Sequence, residues 1–382
     1  GLLYGQLVAR AAHDWGRDVG RYAMINTLGS CLGILFFTLV GYEIPQTLDA
    51  LAIGAGLLAV AAIESDHPVG RPAAALGALV AAALVAVGWT VPYTEGEHSR
   101  TYWGRDGVVE VADDDNVYID GLWHTKLTDG SDHIGRPYSW LMAFAAVMAL
   151  EDPHPEDALV IGAGVGISGV TLAGVEGLHV DGYEINHTIL RVLQDHPDRT
   201  LNALTHPDMA WRWQDARTGM ALDEKRYDVI LSAPLYLRQA GSSLLLSREY
   251  LRLVKSRLRE GGVVAVYSNE GSDAQTRLVQ RTLSELFAYR VTWFDGLVTV
   301  ASDRPIEVTE ARLRKRLKRP DRLYQEARLL DEQLSDEGGL WGWYDGDATA
   351  SVLADRPITD DQPLVEYPEL AERWVGTTTP DR

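Results

Sequence analysis

Two acidic residues and a glycine-rich turn have the residue types and the spacing that nucleoside binding requires. Glycines at Gly162, Gly164 and Gly166 permit a tight turn that a ligand can approach closely. Glu184 follows about 20 residues later, where a carboxylate can accept hydrogen bonds from both ribose hydroxyls. Asp215 follows the next strand, at a position suited to the amino group of an adenine. Either acid alone is also compatible with a surface or helix-capping role, but the order of all three features indicates nucleoside binding.

These residues are positioned by strands and helices that alternate along the sequence. Such alternation predicts an α/β, Rossmann-like domain in which helices cover both faces of a mainly parallel sheet. We predict seven strands, at residues 158–162, 179–184, 209–214, 227–232, 262–267, 289–294 and 298–301. Helices are predicted at residues 138–150, near 170, and at 189–194, 248–258 and 273–287. The fourth strand ends at Ser232, where the crevice above such a sheet opens, and residues 107–125 alternate as a small N-terminal β-hairpin region.

The composition excludes some classes of partner. The chain has 382 residues and a formal net charge of −19, from 35 basic and 54 acidic side chains. Because phosphate binding needs a basic face, no nucleic-acid partner is expected. The single cysteine, Cys31, rules out an internal disulfide or a cysteine-based metal cluster, and no metal site is predicted. The chain opens on Gly1 without a secretory signal pattern, so we expect it to begin inside a longer protein.

Two long segments near the N-terminus contain no charged residue. Residues 22–42 and 72–93 are each close to the ~20 residues that cross a ~30 Å hydrocarbon layer as a helix, and residues 50–63 form a shorter apolar run. A buried core helix or hairpin is the alternative interpretation. We expect about three transmembrane helices within residues 1–95 and a multi-pass membrane localisation. The α/β domain is then expected on the cytoplasmic side, where a nucleoside-bearing cofactor is available.

Several motifs, in this order, resemble those of a known protein family. They are GRDVGRYAMINTLGSCLG at residues 16–33, VYIDGLWHT at 117–125, ALVIGAGVG at 158–166, GYEIN at 182–186, QDAR at 214–217, YDVIL at 227–231 and ITDDQPLVEYP at 358–368. Over nearly its whole length the chain resembles the spermidine synthase family, specifically its membrane-fused bacterial and archaeal branch. The resemblance implies a Rossmann-like transferase domain that binds S-adenosylmethionine or its decarboxylated form, without a metal.

The resemblance further implies transfer of an aminopropyl group to an amine, and the chain departs from the family at the residue for that step. Ser232 stands where family members carry an aspartate. A serine does not act as a base at neutral pH without an activator. The catalytic candidates are therefore Ser232 itself, Tyr236, Tyr138 and His124, of which the histidine could act near pH 7. Each of them could instead be an ordinary packed side chain, and further alternatives are His133, Glu270 and Asp295.

The sequence leaves three functions open. The first is a membrane-anchored transferase with a small-molecule or lipid-like acceptor, acting alone or as a homodimer. The second is methyl transfer from S-adenosylmethionine, and the third is a non-catalytic membrane protein that senses a nucleoside or scaffolds a partner. The predicted domains are a transmembrane region (1–95), a β-strand subdomain (100–137), a nucleoside-binding domain (138–305) and a C-terminal helical extension and tail (306–382). Within the extension, residues 309–334 are predicted as a solvated helix pair broken at Pro320.

Overall fold

The structure, a computed structural model, describes residues 99–104, 106–128, 137–233, 237, 241–268, 273–349, 357–362 and 364–367, together with Leu79. The chain divides into two compact units, Gly1–Asp113 and Asp114–Arg382. The second unit contains the main sheet and every candidate site residue that lies in the described ranges. The finer division into four domains stays a prediction.

In the first unit, the described residues form one antiparallel hairpin. Strand β1 (Ser99–Gly104) pairs with strand β2 (Gly107–Ala112). Tyr102 lies opposite Val109 in this pairing, and both side chains are buried. Cross-strand pairs of an aromatic and a β-branched side chain stabilise such a hairpin.

A second hairpin opens the second unit. Strand β3 (Asn116–Ile119) pairs with strand β4 (Leu122–Lys126). Asp120 and Gly121 connect the two strands with φ angles of 51° and 79°, the left-handed values that a tight two-residue hairpin turn needs. Strands were predicted in this segment, and β4 is important for the site because it carries His124.

The main sheet has eight strands, which are β5 (Asp157–Ile161), β6 (His179–Glu184), β7 (Met209–Trp213), β8 (Tyr227–Ser232), β9 (Leu258–Tyr267), β10 (Tyr289–Trp293), β11 (Val298–Ser302) and β12 (Tyr344–Asp347). Their order is β12-β10-β11-β9-β8-β5-β6-β7. Strands β5 to β9 pair in parallel, and antiparallel pairings add β11, β10 and β12. The α/β, Rossmann-like fold is thereby confirmed. The eighth strand, β12, was not predicted, because its sequence YDGD lacks the alternation of apolar residues that marks a strand.

Helices follow most of the parallel strands. They are α1 (Pro137–Ala149), α2 (Ile167–Ala173), α3 (His187–Asp195), α4 (Ala216–Leu222), α5 (Arg248–Ser256), α6 (Asp273–Ser284), α7 (Glu310–Arg316) and α8 (Arg322–Gln333). Short 3-10 turns occur at Pro197–Arg199, Ser242–Leu245, Ser335–Glu337, Gly339–Trp343 and Leu364–Glu366. Helix α4, which has only seven residues and is capped by Asp215, was not predicted. A core of buried side chains from α4, α5, α6 and the sheet surrounds the strand ends that carry the site.

Helix α1 is buried on all sides, and arginines from α7 satisfy its carboxyl end. Every side chain from Leu141 to Met148 is fully buried. Arg316, itself 6% exposed, donates hydrogen bonds to the backbone oxygens of Val147 and Leu150, where a helix leaves its last carbonyls without partners. The predicted helix pair at 309–334 is therefore present as α7 and α8, but its first helix is not simply solvated.

The predicted multi-pass membrane localisation is wrong. Among the described residues, the structure contains no helix with both the length and the apolar character needed to cross a bilayer. The charge-free segments that motivated the prediction, residues 22–42 and 72–93, lie outside the described ranges apart from Leu79. Helix α1 illustrates why such a pattern is ambiguous. Its 13 residues also lack charge, yet they are covered by protein and extend about 20 Å, short of the ~30 Å of a hydrocarbon layer.

Candidate active site

The glycine turn after β5 has a left-handed backbone at all three glycines. The φ angles are +88° at Gly162, +51° at Gly164 and +86° at Gly166, which side chains other than glycine rarely adopt. A Cβ added to Gly166 would lie 2.2 Å from the Cβ of Ala203, so packing also requires this glycine. At Gly162 and Gly164 the nearest atoms to an added Cβ are 3.8 Å away. An added Cβ would therefore be in ordinary van der Waals contact with Ala233 at Gly162 and with His124 at Gly164, so glycine is required at these two residues by the positive φ and not by crowding.

Glu184 ends β6 directly beside the glycine turn. The residue is 6% exposed, its Oε2 accepts a hydrogen bond from the backbone N–H of Ala163 at 2.7 Å, and its Oε1 accepts one from the N–H of Asn186 at 2.7 Å. Burial raises the pKa of Glu184, and the backbone hydrogen bonds oppose that rise. A carboxylate has about four acceptor positions. Backbone N–H groups of Gly164 and Ile185 also contribute hydrogen bonds to Glu184, so a ligand hydroxyl would have to share these positions with the backbone.

Asp215 lies on the neighbouring strand's loop, after β7. The register of β6 and β7 places Trp213, two residues earlier, opposite Glu184, so both acids lie at the carboxyl edge of adjacent strands. The Oδ1 atom of Asp215 accepts hydrogen bonds from the N–H and the hydroxyl of Thr218, at 2.8 and 2.7 Å, and thereby caps α4. The capping role is real, but Oδ2 takes no part in it. One carboxylate can therefore hold the helix with one oxygen and a ligand with the other.

Two large apolar side chains beside these acids were missed by the sequence reasoning. Ile185 is 62% exposed and Trp213 is 44% exposed, although residues of this kind are usually covered. The indole Nε1 of Trp213 donates to the backbone oxygen of Ile185 at 3.0 Å, which fixes the ring next to the end of β6. The only signal in the sequence is that both residues adjoin the predicted acids, at strand ends where a planar base would need an apolar surface.

His124 on β4 faces the glycine turn. Its Nε2 lies 3.8 Å from the position that a Cβ of Gly164 would occupy. Burial lowers the pKa of His124 to about 4, so the imidazole is neutral at physiological pH. This corrects the expectation of titration near pH 7, which used the ordinary pKa of an exposed histidine. The structure thus brings His124 to the turn as a neutral hydrogen-bonding group.

Ser232 ends β8 and is fully buried. Its hydroxyl lies 3.0 Å from the hydroxyl of Tyr250, which is equally buried on α5. Burial raises the pKa of Tyr250, so the phenol stays protonated and cannot activate the serine as a base would. Nothing in the sequence distinguished Tyr250 from other tyrosines. Its contact depends on the packing of α5 against the end of β8.

The structure describes only some of the other predicted catalytic candidates. Tyr138 lies in the first turn of α1, but its side chain is outside the described residues. The residues Tyr236, His133 and Glu270 also lie outside them. Asp295 is described, in the turn between β10 and β11, where its N–H donates to the carboxylate of Asp345 at 3.1 Å.

The order and direction of the strands are those of an α/β, Rossmann-like domain, and Glu184 and Asp215 lie at the carboxyl edge of its sheet. No family model matches the chain. The chain is 27% identical over 210 residues to polyamine aminopropyltransferase 2 of Pseudomonas aeruginosa, a match that covers 50% of this chain and 56% of that protein. The chain thus spans about half the length of the curated relative that it matches. The predicted resemblance to the spermidine synthase family is confirmed.

Solved structures similar to the chain include spermidine synthases. One is a spermidine synthase in complex with the transition state analogue AdoDATO, with a TM-score of 0.48 and 16% identity, covering 62% of this chain and 87% of that one. Another is the spermidine synthase of Thermotoga maritima, with a TM-score of 0.45 and 15% identity, covering 58% of this chain and 78% of that one.

Proposed function

We propose that the protein is a transferase that binds S-adenosylmethionine or decarboxylated S-adenosylmethionine at the glycine turn. The observation that carries the proposal is the Glu184 carboxylate, which is buried at the end of β6 and held against the glycine turn by the Ala163 N–H. Asp215 at the adjacent strand end supports it, because its Oδ2 could accept a hydrogen bond from an adenine amino group. The positive φ angles at Gly162 and Gly164 are those of a tight glycine turn, the kind of turn that a nucleotide approaches closely.

The reaction we propose is aminopropyl transfer to a small amine, as the name of the curated relative suggests. The amine nitrogen attacks the aminopropyl carbon next to the sulfonium, and the carbon–sulfur bond breaks. The electron pair of that bond goes to sulfur, which leaves as the neutral thioether of methylthioadenosine, and the amine loses a proton. The protein must align the two reactants and receive the proton. His124 is neutral and can accept a hydrogen bond, but with its low pKa it is a weak proton acceptor. Tyr236 and Tyr138 stay predictions for that role.

Methyl transfer is a second candidate, and the buried Ser232 favours it. The hydroxyl of Ser232 is neutral and already bonded to Tyr250, so it gives no charge to attract an ammonium acceptor. A methyl acceptor that is already nucleophilic needs no such charge. In that reaction the methyl carbon moves to the acceptor and the sulfur leaves as S-adenosylhomocysteine.

Analysis of the spent donor tests both reactions. Purified protein is incubated with each donor and a set of amine acceptors, and the products are identified by mass spectrometry. Methylthioadenosine supports aminopropyl transfer, and S-adenosylhomocysteine supports methyl transfer. Binding of a donor without turnover would leave the non-catalytic sensor as the function. Absence of calorimetric binding of both donors would overturn the proposal as a whole.

A further inference from the structure

The C-terminal residues 357–367, here named the tail segment, are built into the core beside the site. Ile358 and Val365 are fully buried within the same cluster as Tyr250 and Leu246. The backbone of Ile358 is held on both sides: its N–H donates to the Thr282 hydroxyl at 2.9 Å, and its oxygen accepts from the Arg248 N–H at 2.9 Å. The tail segment is therefore a part of the domain and not a loose extension of it.

One ion pair joins the tail segment to the helix that Asp215 caps. The guanidinium of Arg217, in the first turn of α4, donates to both oxygens of Asp360, at 2.8 and 2.7 Å. This bidentate pairing raises the pKa of Arg217 and lowers the pKa of Asp360. Arg217 also donates to the backbone oxygen of Leu244 at 3.2 Å, and the Ser247 hydroxyl donates to Asp360 at 2.6 Å. The carboxylate of Asp360 thus has three donors.

Further hydrogen bonds connect Ser247 to Tyr250, and Tyr250 to Ser232 at the end of β8. The hydroxyl of Ser247 accepts the N–H of Tyr250 at 3.2 Å, and the hydroxyl of Tyr250 contacts Ser232. Tyr250 therefore contacts Ser232 through its hydroxyl and Ser247 through its backbone N–H, and Ser247 in turn contacts the Asp360 that binds Arg217. Arg217 is two residues from Asp215, and attraction to Asp215 contributes to its raised pKa.

We infer that Arg217 and Asp360 are positioning residues that fix Asp215 for recognition of the nucleobase, an inference that rests on the proposed function. Helix α4 has seven residues, and a helix this short is not stable by its own hydrogen bonds. The position of its first turn, and of the Asp215 that caps it, therefore depends on side-chain anchors. Ala216 and Met220 pack into the core on one side of the helix, and Arg217 is the charged anchor in the first turn, with its guanidinium held by the two oxygens of Asp360. The Oδ2 atom of Asp215 then meets the amino group of an adenine and repels the carbonyl oxygen of a hypoxanthine.

The alternative is that the ion pair only stabilises the fold. A structural staple affects all ligands of the pocket equally, whereas misplacement of Asp215 affects the base and spares the sugar. The ratio of affinities for S-adenosylhomocysteine and S-inosylhomocysteine separates the two cases, because the compounds differ only in the base.

The experiment measures this ratio by calorimetry in wild type, Asp360→Asn and Arg217→Lys. Both changes remove the bidentate pairing, and the second keeps the positive charge in case the first does not fold. We expect the affinity for S-adenosylhomocysteine to fall by about tenfold, the effect of one misaligned hydrogen bond, with little change for S-inosylhomocysteine. Asp361→Asn is the matched control, since Asp361 is the exposed neighbour of Asp360 and should keep the wild-type ratio.

The possible results distinguish a failure of the inference from a failure of the proposed function. A wild-type ratio in folded Asp360→Asn and Arg217→Lys overturns the inference alone, as does a wild-type protein that binds both compounds equally. Loss of the preference for S-adenosylhomocysteine in Asp361→Asn as well would also overturn the inference. If wild type binds neither compound, the inference fails, and the proposed function fails with it when neither S-adenosylmethionine nor decarboxylated S-adenosylmethionine binds.

Discussion

The substitution Glu184→Gln tests the central residue of the site with a minimal change of shape. In the structure, Oε1 and Oε2 accept the N–H groups of Asn186 and Ala163 at 2.7 Å each, and the same oxygens are proposed to accept hydrogen bonds from the ribose hydroxyls. A glutamine keeps one oxygen, but it replaces the other by an NH2 group that faces a backbone N–H. It also removes the charge that burial disfavours.

The substitution changes both the free energy of unfolding and the free energy of ligand binding. For the fold, the backbone N–H left without an acceptor costs about 1–3 kcal/mol, and relief of the buried charge offsets part of this. For the ligand, one hydrogen bond to a charged group is lost, which is worth about 1.5–3 kcal/mol and corresponds to a roughly 10- to 150-fold rise in Kd. Donor binding is therefore expected to weaken clearly in a protein that still folds.

Calorimetric titration with S-adenosylhomocysteine measures the effect, and denaturant unfolding measures the fold. Asp181→Asn is the matched control, because Asp181 lies on the same strand β6 near its other end and pairs with Lys225 at 2.9 Å. It should lower stability without weakening binding. The reasoning is refuted if Glu184→Gln binds within twofold of wild type, or if both variants lose affinity equally.

Three further predictions concern protonation and packing. Because the pKa of His124 is lowered to about 4, the unfolded chain binds a proton that the folded chain resists, and stability falls by up to about 3 kcal/mol between pH 6.5 and 4. His124→Gln should make the unfolding free energy less dependent on pH in this window, and an unchanged slope contradicts the assigned burial. In Gly166→Ala the new Cβ would lie 2.2 Å from the Cβ of Ala203, so the free energy of unfolding in urea should fall by about 2–5 kcal/mol. For Gly177→Ala, whose φ is +83° in open space, the free energy of unfolding should fall by only about 1–2 kcal/mol. Arg316→Met should lower the free energy of thermal unfolding by about 1–3 kcal/mol, because it removes two hydrogen bonds at the carboxyl end of α1 although Arg312 still donates to Leu150, and equal stability to wild type would exclude the capping role.

Features set by local pattern could be predicted from the sequence. The central strands β5, β8 and β9 follow apolar runs that are largely buried on both faces, and the glycine turn and Glu184 are fixed by where β5 and β6 end. All seven predicted strands are present, among them the edge strand β7, which is not buried on both faces. The helix cap at Asp215 was weighed as an alternative, and the structure has it.

Features set by tertiary contact could not be predicted. Strand β12 forms because β10 offers it an edge, although YDGD has little strand propensity of its own. The low pKa of His124 arises from burial against a turn 40 residues away. The pairing of Arg217 with Asp360 joins residues that are 143 positions apart. Long charge-free segments, in turn, do not by themselves distinguish a bilayer from a protein interior.

The two outer strands of the main sheet affect how copies of the protein could associate. Strand β12 has four residues and contains Asp345 and Asp347, while β7 presents the exposed charge of Arg212. Short, charged edges are poor templates for addition of a strand from another molecule. The net charge of −19 adds mutual repulsion between copies. Growth of a continuous intermolecular sheet from these two edges is thus disfavoured.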